Sequence, residues 1–205
     1  ITSVGNIDIF VAKRDISGNW EWLVSAGGTG TDYVEEIEID SNGYVYLAGL
    51  FSASMSFGNH SVDPLYSGYD DIYLAKLDNS GNWEWALEGG GTDQEYINYL
   101  GIDYDDNIIL GVRNHNAATY GSESFSTSNN EWEIVVVKAN SSGTWEWVKR
   151  AGTTGTDEMV SDVSIGIDNS IYLTGKANHG ADFGDYIYSV SGSDEGSPFV
   201  AKLNK

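Results

Sequence analysis

The segment Asp71–Trp85, DIYLAKLDNSGNWEW, combines an apolar strand, a polar turn and the start of a tryptophan strand. Its turn, Asp78-Asn-Ser-Gly81, is typical of a short hairpin loop, because the aspartate accepts backbone N–H bonds and the glycine takes a left-handed conformation without a Cβ clash. In the strand before the turn, Ile72 and Leu74 share one face and Tyr73 lies on the other. Both faces are therefore apolar, as expected for a sheet packed between two similar sheets.

The same segment recurs along the chain. Four apolar strands, DIFVAK, DIYLAK, EIVVVK and PFVAK, end in lysines spaced 63, 62 and 64 residues apart, namely Lys13, Lys76, Lys138 and Lys202. The first three are each followed by a GNWEW or GTWEW strand, and then by a glycine-threonine loop and a second apolar hairpin. Each period thus contains four strands, and no segment shows sustained helical periodicity. A four-stranded antiparallel unit repeated in tandem predicts an all-β fold of the β-propeller type, with about three blades.

The repeat also resembles a known family. The pattern GGTGTDYVEEIEIDSNGYVYLAG, followed by YDDIYLAKLDNSGNWEWA, is similar to the bacterial and archaeal seven-bladed β-propeller repeats of large secreted or surface proteins. The resemblance covers essentially the whole chain and includes both hairpin turns, the tryptophan strand and the glycine-threonine-aspartate loop. It implies a propeller in an extracellular or cell-surface setting, and it carries over no catalytic residues. The departures are local, at the turns 103–107 and 168–170.

The phase of the repeat predicts four units along the chain. These are a partial blade with a Lys strand and a WEW strand, two blades, and an incomplete blade that lacks its WEW strand, at residues 1–33, 34–96, 97–162 and 163–205. Three blades do not close a ring and leave two apolar flanks. We therefore expect a piece of a longer or assembled polymer, completed by further blades of the same polypeptide or by other copies. Copies can pair, add head to tail as a filament, or donate a strand to the unfinished blade.

Charge and composition exclude several classes of function. The chain has 31 acidic and 10 basic residues, a net charge of −21. Such a surface repels phosphate backbones and anionic lipids, so we expect no nucleic-acid partner. No apolar run approaches the ~20 residues needed to span a bilayer, so we expect no membrane insertion. Without cysteine there is no disulfide framework, thiol nucleophile or thiolate metal site.

The catalytic motifs that we sought do not occur in the sequence. No Ser-His-Asp order, phosphate loop or dinucleotide fingerprint stands out, and the three histidines differ in local context. Glu36 and Glu38 come nearest to the paired carboxylates of glycoside hydrolysis. They lie two residues apart on one strand face, and the sequence offers no opposing partner. We therefore expect that the protein is not an enzyme.

Two groups of carboxylates are candidate Ca²⁺ ligands, because Ca²⁺ prefers hard oxygen donors. One group follows the glycine-threonine loops and would surround one mouth of a channel: Asp32, Asp93 and Asp157. The other is the densest oxygen cluster in the chain, at a hairpin tip: Asp103, Asp105 and Asp106. The tip lacks the glycine and distal glutamate of an EF-hand loop. The alternative interpretation is that the first group caps turns by accepting backbone N–H bonds and that the second is a solvated tip.

Aromatic side chains provide a candidate glycan-binding surface. The variable segments 52–70, 114–131 and 177–197 are expected to form loops on one face, and six of their aromatic residues are candidate ligand contacts: Tyr66, Tyr69, Tyr120, Phe125, Tyr186 and Tyr188. The WEW indoles could also stack on sugars, but packing between blades is favoured because they recur with the blades. We expect each strand lysine to pair with a carboxylate.

The sequence thus predicts an extracellular structural or adhesive β-propeller protein, such as a subunit of a surface filament. A lectin-like propeller that binds carbohydrate through its variable segments is the alternative. No cofactor is predicted apart from the candidate Ca²⁺.

Overall fold

The computed structural model describes residues 3–126, 132–152, 157–189 and 196–203. Within these ranges the chain forms seventeen strands and no helix, and accordingly no helix long and apolar enough to cross a bilayer. In chain order the strands are β1 Ile9–Arg14, β2 Trp20–Gly28, β3 Asp32–Ile39, β4 Val45–Phe51, β5 Met55–Phe57, β6 His60–Val62, β7 Asp71–Leu77, β8 Trp83–Gly91, β9 Glu95–Ile102, β10 Ile108–His115, β11 Ala118–Tyr120, β12 Glu123–Phe125, β13 Trp132–Asn140, β14 Thr144–Ala151, β15 Met159–Ile165, β16 Ile171–Ala177 and β17 Ser197–Leu203.

The strands form four antiparallel sheets, which are propeller-type blades. The first blade has the order β1-β2-β5-β6, the second β3-β4-β7-β8-β11-β12, the third β9-β10-β13-β14 and the fourth β15-β16-β17. The predicted all-β fold with four-stranded antiparallel blades is confirmed. The innermost strands of the later blades begin at Asp32, Glu95 and Met159. The sheets therefore start each blade a few residues earlier than the boundaries taken from the repeat.

The variable segments contribute short hairpins to the neighbouring blade. The hairpin β5–β6 lies between the second and third strands of the second blade in sequence, but β5 pairs with β2 of the first blade through Gly27 and Gly28. In the same way β11–β12 pairs with β8 of the second blade. The variable segments were predicted to form loops, but two of them therefore contain short β-hairpins. Each of these hairpins joins two consecutive blades. Residues 127–131 and 190–195 of the variable segments lie outside the described residues.

The hydrophobic core lies between consecutive blades. In the Lys strand β7, Ile72 and Leu74 pack toward the third blade, whereas Tyr73 and Leu77 pack toward the first. The two-sided apolar strand predicted from the sequence is therefore observed, with both faces fully buried. A third cluster of buried aliphatic side chains fills the space between the third and fourth blades.

Tryptophan and lysine side chains connect the first and second blades each to a turn of the blade that follows. The Nε1–H of Trp22 donates to the carbonyl of Asn79 at 2.9 Å, and Trp85 makes the equivalent bond to Ser141 at 3.2 Å. Lys76 Nζ donates to the same Ser141 carbonyl at 3.0 Å. These bonds, together with the contact of each indole with the following turn, give the second tryptophan of the WEW strand a packing role between blades.

The strand lysines pair with carboxylates in most blades, as expected. Lys13 lies 2.9 Å from Glu21, Lys138 lies 3.0 Å from Asp103, and Lys202 lies 3.7 Å from Asp168. Lys76 differs, because its ammonium group lies over the ring of Tyr44, 4.0 Å from the centroid, and donates to a backbone carbonyl.

Candidate functional site

Each junction between consecutive blades contains a pair of acidic side chains. One member lies at the start of the Lys strand of a blade, and the other at the start of the innermost strand of the following blade. The pairs are Asp8 with Asp32, Asp71 with Glu95, and Glu133 with Glu158. All of them except Asp8 are buried. Because burying a carboxylate is unfavourable unless its charge is compensated, these pairs are candidates for a functional role.

Glycines of the outer strands make room for these carboxylates. A Cβ on Gly90 would lie 2.5 Å from Asp71 Oδ1, and a Cβ on Gly91 would lie 2.9 Å from Glu95 Oε1. At the third junction, a Cβ on Gly152 would lie 3.3 Å from Glu158 Oε2. Acidic side chains from two blades therefore fill the space that side chains would take at the glycines that follow the WEW motif.

The second junction places two buried carboxyl groups together, and no ion pair between described residues involves either of them. Asp71 Oδ2 accepts N–H groups from Leu65 at 2.6 Å and from Tyr66 at 3.4 Å. Burial nevertheless raises the pKa of Asp71 to about 6. Burial raises the pKa of Glu95 to about 9, and the neighbouring charge of Asp71 adds to the increase. Neither oxygen of Glu95 lies in hydrogen-bond geometry with a described residue, although the nearby Gly91 N–H offsets a small part of the increase in its pKa.

The other titratable groups near this pair are also acidic or are already paired. Asp70 and Asp93 raise the pKa of Glu95 further. The Tyr120 hydroxyl lies close enough for Glu95 and Asp71 to raise its own pKa, although burial is the main cause. His115 Nδ1 is 2.9 Å from Asp93. A cavity of about 320 Å³ adjoins the pair and is lined by Leu50, Gly68, Tyr69, Asp70, Gln94, Glu95 and Tyr96.

The third junction carries its own cation. Arg150 binds Glu133 through two hydrogen bonds, from Nε to Oε2 at 2.8 Å and from Nη2 to Oε1 at 3.1 Å. The strand registers place Arg150 opposite Val135, just as Glu88 lies opposite Tyr73 and Ser25 opposite Phe10. Position 150 is therefore occupied by a serine in the first blade and by a glutamate in the second. The positive charge that Arg150 supplies to the third junction is therefore not supplied by Ser25 or Glu88, which occupy the equivalent positions of the first and second blades.

At the first junction the carboxylates are partly satisfied by backbone groups. Gly28 N–H donates to Asp32 Oδ2 at 2.9 Å, and Val4 N–H donates to Asp8. Burial raises the pKa of Asp32, the Gly28 N–H offsets part of this increase, and the charge of Asp8 adds to it. Asp32 Oδ1 is buried without a hydrogen-bond partner in the described chain.

The structure changes which carboxylates are equivalent between blades. The sequence aligned Asp93 and Asp157 with Asp32 because each ends a glycine-threonine loop. In the sheets, the residue equivalent to Asp32 is Glu95. Asp32 pairs with Phe51 near the end of β4, and Glu95 pairs with Asn114 at the corresponding position of β10. The matching residue before β15 is Glu158. The loops differ in length, so alignment on the aspartate missed the buried glutamates.

The six carboxylates predicted from the sequence as Ca²⁺ ligands are distributed over separate places. Asp93 Oδ2 accepts the Asn116 side-chain amide at 3.0 Å, and Asp157 Oδ1 accepts the N–H of Trp132 at 3.4 Å. Of these contacts and the Gly28–Asp32 bond, only the bond from the Gly28 N–H to Asp32 is a local bond from a backbone group, as the alternative, turn-capping interpretation describes. Across the described ranges, no three Asp, Glu or His side chains converge closely enough to hold a metal ion. Calcium binding by these residues stays a prediction.

The hairpin tip of the third blade is held together by its own hydrogen bonds. Asp103 Oδ1 accepts the N–H groups of Asp105 and Asn107, each at 2.9 Å, and its Oδ2 binds Lys138. Burial favours a higher pKa for Asp103, but the bonds from Asn107 and Lys138 outweigh it, and the pKa is lowered. Asp105 and Asp106 reach the turns of the two neighbouring blades, at Asn169 and Asn42 respectively. This cluster thus links the inner turns of three blades.

The six aromatic candidates fall into two groups. Tyr66, Tyr69 and Tyr186 are exposed. Tyr120 is fully buried, with its hydroxyl donating to Asn114 and its ring against Trp145. Phe125 stacks on Tyr120, and the Tyr188 hydroxyl donates to the carbonyl of Pro198. Phe125 and Tyr188 are half-buried, so Tyr120 alone of the six is enclosed, and glycan binding by these residues stays a prediction.

Glu36 and Glu38 lie on the innermost strand of the second blade. Burial raises the pKa of Glu36, and the charges of Glu35, Glu38 and Asp162 raise it further. Tyr99 on the next innermost strand has its pKa raised to about 12, mainly by burial. The innermost strands therefore carry a line of mutually repelling acidic groups.

These sheets and junctions define a β-propeller-type repeat protein. No protein-family profile matches the chain. Over 182 residues it is 25% identical to an uncharacterized WD repeat-containing protein, L264, of Acanthamoeba polyphaga mimivirus, with 75% of this chain and 13% of the viral protein covered. Over 150 residues it is 25% identical to the regulatory protein FlaEY of Caulobacter vibrioides, with 71% of this chain and 15% of that protein covered. The chain thus spans less than a sixth of the length of these curated relatives.

Proposed function

We propose that the protein is an extracellular structural or adhesive propeller scaffold of the seven-bladed repeat type. Its terminal blades bind further blades of the same repeat, in other copies joined head to tail or in a longer polypeptide. The exposure of two blade faces whose equivalents are buried inside the chain carries this proposal. The extracellular setting is supported by the resemblance of the repeat, and the net charge of −21 is compatible with it.

The first blade exposes the face that would meet a preceding blade. Phe10 and Tyr73 occupy equivalent positions, because they lie opposite Ser25 and Glu88 in the two ladders. Tyr73 is completely buried against the first blade, whereas Phe10 is 68% exposed. Leu23 on the adjoining strand is exposed as well. This face is an apolar surface of the kind that marks a protein interface.

The fourth blade exposes the opposite face. Val200 is equivalent to Leu74, since they lie opposite Thr174 and Ala48 respectively. Leu74 is completely buried against the third blade, and Val200 is 79% exposed. Tyr172 on the adjoining strand is exposed too. The two exposed faces are therefore the two halves of the interface that joins blades within the chain.

The internal junctions indicate how these faces would meet. Within the chain, intact blades stack and are tied by tryptophan and lysine bonds to the next turn. Strand donation by β2 is less favourable, because β2 already pairs with β1 along its length and with β5 at its end. Stacking of whole blade faces requires no strand to be released.

Light scattering after size exclusion tests the proposal with the 205-residue chain. We expect particle masses that rise with concentration in multiples of 22.3 kDa. Phe10→Asp and Val200→Asp should each reduce the mass to that of the monomer, since they place a charge on one blade face. Tyr104→Asp is the matched control, because Tyr104 is an exposed aromatic residue on a turn of an internal blade. A wild-type chain that stays monomeric at all concentrations contradicts the head-to-tail assembly of copies.

The cavity near the second junction favours carbohydrate binding as a second candidate function. Two half-exposed aromatic rings, Tyr69 and Tyr96, line it together with Gln94 and Asp70. Rings beside hydrogen-bonding groups suit the faces and hydroxyls of a sugar. A glycan array should then show saturable binding that Tyr69→Ala removes and Tyr186→Ala, in another blade, leaves intact. The absence of catalytic activity stays a prediction.

A further inference from the structure

We propose that Asp71 and Glu95, at the junction between the second and third blades, bind a divalent cation of the calcium class. This site differs from the two carboxylate groups that the sequence suggested. It also goes beyond the proposed scaffold function, because it concerns how one pair of blades is held together.

The first argument is the burial of carboxylate oxygens without partners. Glu95 is only 2% exposed, and neither of its oxygens has a hydrogen-bond partner in the described part of the chain. Asp71 is equally buried, and it accepts bonds from backbone N–H groups alone. Two buried carboxylates side by side require either protons or a cation, because an isolated negative charge is poorly tolerated in the protein interior.

The second argument is that the protein surrounds this pair with more negative charge. Asp70 lines the same cavity as Glu95, and Asp93 lies close by. None of the ion pairs between described residues involves Asp71 or Glu95. His115 is paired with Asp93, and the guanidinium of Arg113, on the strand that pairs with β9, lies over the ring of Trp132. The local field therefore attracts a cation.

The third argument comes from the next junction along the chain. There the equivalent pair has a cation supplied by the protein, since Arg150 binds Glu133 through both of its carboxylate oxygens. At the second junction the position of Arg150 is occupied by Glu88. A bound cation would supply at the second junction the charge that arginine supplies at the third.

The donor set favours calcium over other metals. The groups that the structure places at this site are carboxylate oxygens, which suit Ca²⁺ and Mg²⁺ and not the transition metals that select imidazole or thiolate. Ca²⁺ tolerates irregular coordination by six to eight oxygens, whereas Mg²⁺ demands a near-octahedral set. The cavity of about 320 Å³ beside Glu95 has room for the water molecules that would complete the coordination.

Thermal unfolding of the chelator-treated 205-residue chain at pH 7.5 tests the proposal. Calcium chloride should raise the unfolding midpoint of the wild type in a saturable way, beyond any effect of sodium or magnesium chloride at equal ionic strength. Glu95→Gln should raise the half-saturating calcium concentration by at least about tenfold. Glu84→Gln is the matched control, because Glu84 is an exposed glutamate on β8 of the second blade, and it should respond as the wild type does.

Two results would overturn the proposal. One is a calcium response that is the same in the wild type and in Glu95→Gln. The other is a wild type whose unfolding midpoint does not respond to calcium chloride, whatever the stability of Glu95→Gln in chelator. Performing the titrations also in the Phe10→Asp background keeps the result separate from head-to-tail assembly, because that variant is expected to be monomeric.

Discussion

Glu95→Gln should stabilise the calcium-free protein at neutral and alkaline pH. The folded state raises the pKa of Glu95 from its ordinary value of 4.5 to about 9. At pH 7 the folded protein therefore holds a proton on Glu95 that the unfolded chain has released. Each pH unit above the unfolded pKa costs about 1.4 kcal/mol, so the penalty at pH 7 is on the order of 3 kcal/mol. Glutamine resembles the neutral acid in shape and avoids this penalty.

The sign of the pH dependence follows from the raised pKa. The contribution of Glu95 is most favourable below about pH 4.5, where both states are protonated, and it is lost as the pH rises toward about 9. The wild type should therefore lose stability between pH 5 and pH 8 relative to Glu95→Gln, while the two proteins converge at pH 5. Asp71, with a pKa of about 6, gives a smaller dependence of the same sign.

Urea denaturation in chelator at pH 5 and pH 8 measures this effect. The free energy of unfolding should be higher for Glu95→Gln than for the wild type at pH 8, by on the order of 4–5 kcal/mol. Glu84→Gln, the exposed control, should follow the wild type at both pH values. The reasoning is refuted if Glu95→Gln is less stable than the wild type at pH 8, or if the difference between them does not change with pH.

Two further predictions concern contacts at the blade junctions. Arg150→Ala should lower the free energy of unfolding by about 1–3 kcal/mol, because it leaves the buried Glu133 carboxylate without its cation. The loss stays in this range because Arg150 is itself partly exposed to solvent. Lys149→Ala, at an exposed lysine, should have little effect in the same urea experiment, and equal losses for the two variants would contradict the account. Trp85→Phe should lower the free energy of unfolding by about 1 kcal/mol, because it removes the indole hydrogen bond to the turn of the next blade. Trp20→Phe, at an exposed indole, should lower it by less. The reverse order would count against a role of the second tryptophan between blades.

The blades could be predicted from the sequence because their signals are strong and repeated. The aspartate-to-glycine turns mark the hairpins, and the alternation of Ile72 and Tyr73 identifies a strand buried on both faces. The hairpins β5–β6 and β11–β12 could not be predicted. Their strands have three residues each, too few to show a periodicity, and their pairing with the preceding blade is a tertiary event.

The candidate site was harder to predict for a different reason. Sequence alignment selected the aspartate that ends each loop, but the buried position depends on the strand register, which places Glu95 and not Asp93 beside Asp71. The ion pair between Arg150 and Glu133 joins adjacent strands and likewise has no local signal. A carboxylate that is buried without a partner can be recognised only once the surrounding blades are in place.

Cross-linking between copies tests the central claim, that the two exposed blade faces bind each other, most directly. The chain contains no cysteine, so Phe10→Cys and Val200→Cys each introduce a single thiol, and a short bismaleimide joins thiols that lie close together. The account predicts that an equimolar mixture of the two variants gives cross-linked dimers in higher yield than either variant alone. A yield no higher than that of Phe10→Cys mixed with Tyr104→Cys, whose thiol lies on an internal turn, would contradict it.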